Sequence, residues 1–183
     1  MKRLMIDLET LGVMTTAPVV SIGAVFFDVE TATTGNRFYQ AITLDSALEH
    51  GVVESSTLRW WLQQSERARA VFSDENALTF SQALTEFSTF VAHNVRGEEF
   101  EVWGNGSSFD NAILANCYAR LSMPLPWKFR NDRDMRTIVA LCKQLKGIDP
   151  LNSIVRVGIH HNALDDAFFQ AQCVINAYKL INS

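Results

Sequence analysis

An α/β fold, built on a mixed sheet of about five strands flanked by α-helices, is what this sequence predicts. Three observations predict it. Three strand-like runs come first, helical texture takes over from Leu44, and strand and helix then alternate to the end. A chain of 183 residues, 48% hydrophobic and 20% charged, suits a single domain over residues 1–183 that buries about 70% of its unfolded surface. The same composition excludes a disordered chain, a coiled coil and a collagen-like fibre.

The first strand is the short apolar run Arg3–Asp7, and Val19–Val29 is a longer one rich in β-branched and aromatic residues. Asn36–Ile42 follows across the turn-forming TATTG stretch, so the three read as an antiparallel meander. Short helices are expected at Asp45–His50, Ser56–Gln64 and Glu66–Phe72. Leu78–Val95 is amphipathic, with Leu84, Phe87 and Val91 at helical spacing and Gly97 past its end. A fourth strand, Phe100–Asn105, feeds a helix running to about Leu121, for which Ser107 or Ser108 is a suitable cap. A short strand is expected around Trp127–Arg130 and a helix over Asp134–Leu145. The last helix starts near Asn162, a good N-cap, with Ala163, Ala167, Ala171, Val174 and Tyr178 on one face.

Formal net charge is −4, which by itself gives no reason to expect nucleic acid. Its distribution is uneven. Residues 1–119 carry seven Lys or Arg against fifteen Asp or Glu, whereas residues 120–160 carry eight basic residues against three acidic ones. The basic stretch 128–146 holds Arg130, Arg133, Arg136, Lys143 and Lys146, and such a stretch is either a solvated helix face or a phosphate-binding surface. Cys117, Cys142 and Cys173 are widely spaced among apolar neighbours, which suggests buried free thiols in a reduced compartment. The N-terminal apolar run meets an acid at Asp7, too early for a signal peptide, and no apolar span is long enough for a membrane helix. A cytoplasmic location and no membrane partner are expected.

Asp7 and Glu9 form an acid-x-acid pair at the end of the first strand, where residues i and i+2 share a side. Two carboxylates so close repel unless a cation lies between them, and oxygen-only ligands suit Mg²⁺ or Mn²⁺. Asp28/Glu30, Glu99/Glu101 and Asp132/Asp134 share the spacing, but only Asp7 and Glu9 stand where an apolar strand stops and a Gly-containing loop begins. Ligand sites of open α/β sheets gather at such strand ends. Asp110 falls in the first turn of a helix directly after a strand, where the helix dipole alone would stabilise it. Asp166 lies on or beside a buried stripe with Ala163, Ala167 and Gln170, an expensive place for an unpaired carboxylate. Asp165, one position round, is expected to face solvent. Either His160 or His161 could be the functional histidine before that helix.

Taken together, Asp7-x-Glu9, Asp110 after Asn105 and Phe109, and His161 with Asp166 five residues on resemble the DEDDh 3′–5′ exonucleases, the DnaQ-like and RNase T-like enzymes of RNase H-like fold. The STLRWWLQQS and VWGNGSSFDN segments look most like compact phage and bacterial exonucleases of the DexA type. This resemblance selects His161 over His160 by the spacing. It implies that Asp7 bridges two divalent cations, Mg²⁺ or Mn²⁺, with Glu9 and Asp166 completing the shell of the first ion and Asp110 holding the second ion. Two-metal sites usually place the ions about 3.5–4 Å apart. His161 would take the proton of the attacking water, and a nucleoside 5′-monophosphate would leave the 3′ end of a single strand. The backbone from Leu8 through Thr10 to Leu11 and the Leu11 side chain would lie against the terminal nucleotide, with Asn105 and Phe109 bordering phosphate or base. Trp60 and Trp61 point about 100° apart on a helix; one belongs in the core and one near the site, and Trp61 is assigned to the site. Relatives of this type also allow a homodimer. An RNase H-like endonuclease, a non-catalytic nucleic-acid-binding module and a structural metal site are the competing readings. Two divalent ions would cancel the −4 of the four acids, leaving the basic stretch free to meet phosphate.

Overall fold

The computed structural model describes residues 2–183. Five strands form one sheet: β1 (Lys2–Thr10), β2 (Val19–Asp28), β3 (Thr33–Ala41), β4 (Phe100–Gly104) and β5 (Asp132–Asp134). Their order is β3-β2-β1-β4-β5; β2 is antiparallel to β1 and β3, while β1, β4 and β5 run parallel. The helices are α1 (Leu44–Glu49), α2 (Ser55–Trp61), α3 (Glu66–Arg69), α4 (Phe80–Val95), α5 (Asp110–Arg120), α6 (Met135–Lys146) and α7 (Ala163–Asn182). The expected strand-first, then alternating, order is what forms.

Alternation along β1 sorts its side chains between two cores. Leu4, Ile6 and Leu8 join the larger one beneath α4 and α5, with Leu84, Phe87, Val91, Ile113 and Leu114. Met5 joins the other, under α6 and α7, with Trp103, Val139, Ala167, Ala171 and Val174. Asp7 and Glu9 continue Met5's side of the strand, so they emerge beneath the start of α7. The chain passes from β3 through four helices to β4 beside β1, and the crevice at the C-terminal ends of these two parallel strands is a position where ligands bind in open α/β sheets.

Two local expectations fail, each for a visible reason. The fifth strand is not at 127–130: Trp127 is buried and donates its indole N–H to Asp132 at 2.8 Å. Phe129–Asn131 then forms a 3₁₀ turn, and pairing with β4 starts only at Asp132. Neither Ser107 nor Ser108 caps α5. Phe109 holds that position, because the Ser107 N–H is drawn to Asp134 at 2.7 Å and a tight turn from Gly106 to Phe109 precedes the helix. Asn162 does cap α7, its side chain accepting from the N–H groups of Leu164 and Asp165. Cys117, Cys142 and Cys173 are free and buried.

Gly23 of β2 sits opposite Asp7 in the sheet register, and a Cβ there would lie 2.1 Å from the Ala163 backbone. The bare strand therefore lets the first turn of α7 rest directly on the sheet. Gly35, by contrast, would give a Cβ only ordinary contacts at 3.6 Å. Gly23→Ala should cost about 1–3 kcal/mol by overpacking, whereas Gly35→Ala should stay within about 0.5 kcal/mol; urea denaturation of the two variants measures both.

Candidate active site

Side chains from β1, the β4–α5 junction, the loop before α7 and α7 itself meet in a cleft of about 620 Å³, within the usual range for ligand sites of about 300–1,000 Å³. Oxygens of Asp7, Glu9 and Asp166 lie within 4.8 Å of one another. Asp110 reaches the same cleft from α5 and accepts the Leu8 N–H at 3.2 Å, tying the helix to the end of β1. Glu9, Asp110 and Asp166 are at most 7% exposed, and Asp7 is half-buried.

Such acids resist ionisation. Burial, followed by repulsion from Asp110, Glu9 and Asp166, raises Asp7 well above the usual carboxylate range, against a hydrogen bond of 2.6 Å from Gln170. Burial and then Asp166 and Asp110 push Glu9 up to about 8. Asp110 is raised by burial to about 7, although backbone N–H groups of Leu8, Asn105 and its own residue, and the charge of Arg136, work the other way. An oxygen-only cluster that repels itself and converges on one point is the donor set that hard divalent cations fit.

His161 lines the cleft on the other side of Asp166, whose Oδ2 accepts the His161 backbone N–H at 3.1 Å. Burial, then the neighbouring His160, lowers its imidazole below the ordinary value, so it is neutral at neutral pH. Leu8, Thr10, Asn105 and Phe109 also line the cleft. Leu11 does not: its side chain is 3% exposed and belongs to the larger core. The two tryptophans are the reverse of the assignment made from the sequence. Trp61 is 1% exposed and donates its indole N–H to the Thr10 carbonyl at 2.8 Å. Trp60 is 40% exposed, lines the cleft and meets the His161 ring edge-on at 4.7 Å. A 100° step along α2 separates them, and the core-facing one needs a partner for its N–H.

The basic stretch is mostly committed elsewhere. Lys128 pairs with Glu99 (2.6 Å), Arg133 with Glu101 (3.0 Å) and Lys143 with Asp149 (2.7 Å). Among its described members only Arg136 lines the cleft, donating to Asn105 at 3.3 Å. The other acid-x-acid pairs have local tasks as well: Asp28 closes a turn, Glu101 holds Arg3 and Arg133, and Asp134 caps α6. Asp165 is not a solvent-facing acid. It accepts the Ile159 N–H at 2.7 Å and fills the space over Gly158, so it staples the loop that carries His161.

Arg156 was missed in the sequence. It reaches back from that loop to ion-pair with Asp166 while stacking 4.1 Å from the centre of the Phe169 ring. A lone arginine in VRVGIHH offered no periodic signal. Gln170 had one, since it follows Asp166 by one helical turn. Glu54 had none; its carboxylate accepts the N–H groups of Val13 and Met14 at 2.8 and 3.1 Å and fixes the loop after β1.

Residues 2–178 match the model of the 3′-5′ exoribonuclease Rv2179c-like domain. The chain belongs to this Rv2179c-like family. An exodeoxyribonuclease of enterobacteria phage T4 is 30% identical over 155 residues, which are 72% of this chain and 68% of the relative. The chain is thus a 3′–5′ exonuclease. Its fold is RNase H-like, shared with solved nucleases. The nuclease domain of 3′hExo, a DEDDh family member bound to rAMP, superposes with a TM-score of 0.66 at 14% identity, over 95% of this chain and 90% of that one. Pop2p of S. pombe, in an Mg²⁺- and Mn²⁺-bound form, gives 0.62 at 16% identity, over 94% and 81%. These findings lend no support to a homodimer. Among the described residues no helix is long and apolar enough to cross a membrane.

The raised acids make a signed prediction. A carboxyl whose folded pKa is raised stabilises the fold fully below its unfolded value, and that contribution is lost as pH climbs towards the folded one. In a cation-free buffer the exonuclease should therefore lose stability from about pH 4.5 to about pH 8, the interval set by Glu9. Mg²⁺ or Mn²⁺ at about 100 times Kd should then raise the melting temperature by about 5–10 °C at pH 8. Thermal scans across pH with chelator and with cation test it; equal curves would remove the cation from the cluster.

Proposed function

We propose that residues 1–183 act as one exonuclease domain that shortens single-stranded RNA or DNA from the 3′ end, releasing nucleoside 5′-monophosphates. The observation that carries this reading is the convergence of Asp7, Glu9, Asp110 and Asp166 in one cleft with a neutral imidazole beside them. Asp7, Glu9, Asp110 and Asp166 would together hold two divalent cations, Mg²⁺ or Mn²⁺. When bound, such ions neutralise the charge that develops on phosphate and on the entering and leaving oxygens.

His161 is the proton acceptor for the attacking water. Its lowered affinity for protons keeps it free to accept them through neutral pH, and Asp166 fixes the backbone that aims it. Trp60 and Phe109 offer faces on which the terminal bases stack, and Arg136, held by Asn105, meets the backbone phosphate. The phosphate chain is a polyanion and the cleft is acidic, so cations held by the carboxylates would offset the repulsion between them.

His161→Ala should lower kcat about 10²–10⁴-fold while retaining the rise in melting temperature with cation; Asp7→Ala should lose both. Matched 3′-labelled RNA and DNA strands, with a circular single strand as control, provide the assay. Cleavage of the circle would replace the exonuclease reading with an endonuclease one. Trp60→Ala should raise KM by the equivalent of about 1–3 kcal/mol of stacking with a smaller change in kcat. An unchanged KM would move the base elsewhere.

A further inference from the structure

His160 takes no proton and holds no cation in the hydrolysis just described, yet the fold places it with care. Consecutive side chains of an extended segment point to opposite sides. Here His161 takes φ of +66°, a left-handed conformation that is strained for a non-glycine residue. The two imidazoles consequently stack 3.8 Å apart and 27° from parallel. Three features hold that bend. Asp165 accepts the Ile159 N–H, Asp166 accepts the His161 N–H, and Gly158 at φ +95° leaves room for the Asp165 carboxylate where a Cβ would collide at 2.3 Å.

The result is a second group of ligand atoms. One ring nitrogen from each of His160 and His161 and one oxygen of Asp166 all lie within 4.8 Å of one another. His160 is exposed to the cleft, and its imidazole accepts or donates no hydrogen bond among the described residues. This group differs in kind from the carboxylate cluster. Two imidazoles and one carboxylate suit a borderline transition ion over Mg²⁺ or Mn²⁺, and three protein ligands leave a fourth position open to water.

We propose that His160, His161 and Asp166 form a distinct site for a borderline transition ion such as Zn²⁺, and that its occupancy switches the exonuclease off. The ion would take Asp166 from the oxygen cluster and the imidazole lone pair of His161 from the attacking water. Arg156 would leave the Asp166 carboxylate for the face of Phe169, which it already covers. The inhibitory half rests on the proposed role of His161; the binding half rests on the ligand geometry alone.

The test uses the full chain and its His160→Ala variant, with two readouts. Co²⁺ titration should give the intense visible absorption of an ion with few ligands and imidazole nitrogens in the wild-type chain, and only the weak six-coordinate bands in the variant. In Mg²⁺-supported strand degradation, with each protein's inhibition measured against its own Zn²⁺-free rate, the variant should need at least about tenfold more Zn²⁺ for half-inhibition. Identical Co²⁺ spectra, or identical Zn²⁺ sensitivity, would overturn the proposal. A chain with no Mg²⁺-supported turnover would instead overturn the proposed function, while the Co²⁺ spectra would still decide the site.

Discussion

The backbone of α7 touches the backbone of β2 at Gly23, and the site depends on that contact. Gly23 is across the ladder from Asp7, so the helix that carries Asp166 comes down directly over the strand that carries Asp7 and Glu9. A side chain of any size at Gly23 would lift the helix and separate acids that already repel one another. The apolar face of α7, with Ala163, Ala167, Ala171 and Val174 all fully buried, supplies the opposing attraction. Stability drawn from that packing is what allows several disfavoured carboxylates to be held together, the usual arrangement at a functional site.

Much of this was legible in the sequence, and the reasons differ residue by residue. Asp7 and Glu9 were readable because strand period and strand end coincide there. Asp166 was readable because an acid on an alanine-rich face has few structural excuses. The N-cap at Asn162 followed from local chemistry alone. Trp60 and Trp61 could not be ordered, since helical geometry says that they diverge but not which way α2 faces; that depends on the Thr10 carbonyl, which is 51 positions from Trp61 in sequence. Leu11 failed for the same reason, because it packs into a core built from residues distant in the chain, whereas Arg156 meets Asp166 and Phe169 only because the loop between them turns back. The fifth strand slipped by a few residues when the buried indole of Trp127 found its partner in Asp132.

Charge shows the same division between composition and place. The excess of base in residues 120–160 looked like a surface for phosphate, but a linear count cannot see across the sheet. Glu99 just before β4, Glu101 on it and Asp149 after α6 neutralise Lys128, Arg133 and Lys143 in the fold. The acids of the cleft behave differently: Asp7, Glu9 and Asp110 make no ion pair among the described residues, and Asp166 has only Arg156.

That pairing of base with acid has a consequence for how a strand is held. Arg136 and Arg156 are the only described lysine or arginine residues lining the cleft. At about 0.7 counterions released per neutralised phosphate on a single strand, two contacts give a slope of only about −1.4 in log K against log salt. Binding of a strand would then depend only weakly on ionic strength and draw mostly on contacts other than charge, such as the exposed ring of Trp60 in the cleft.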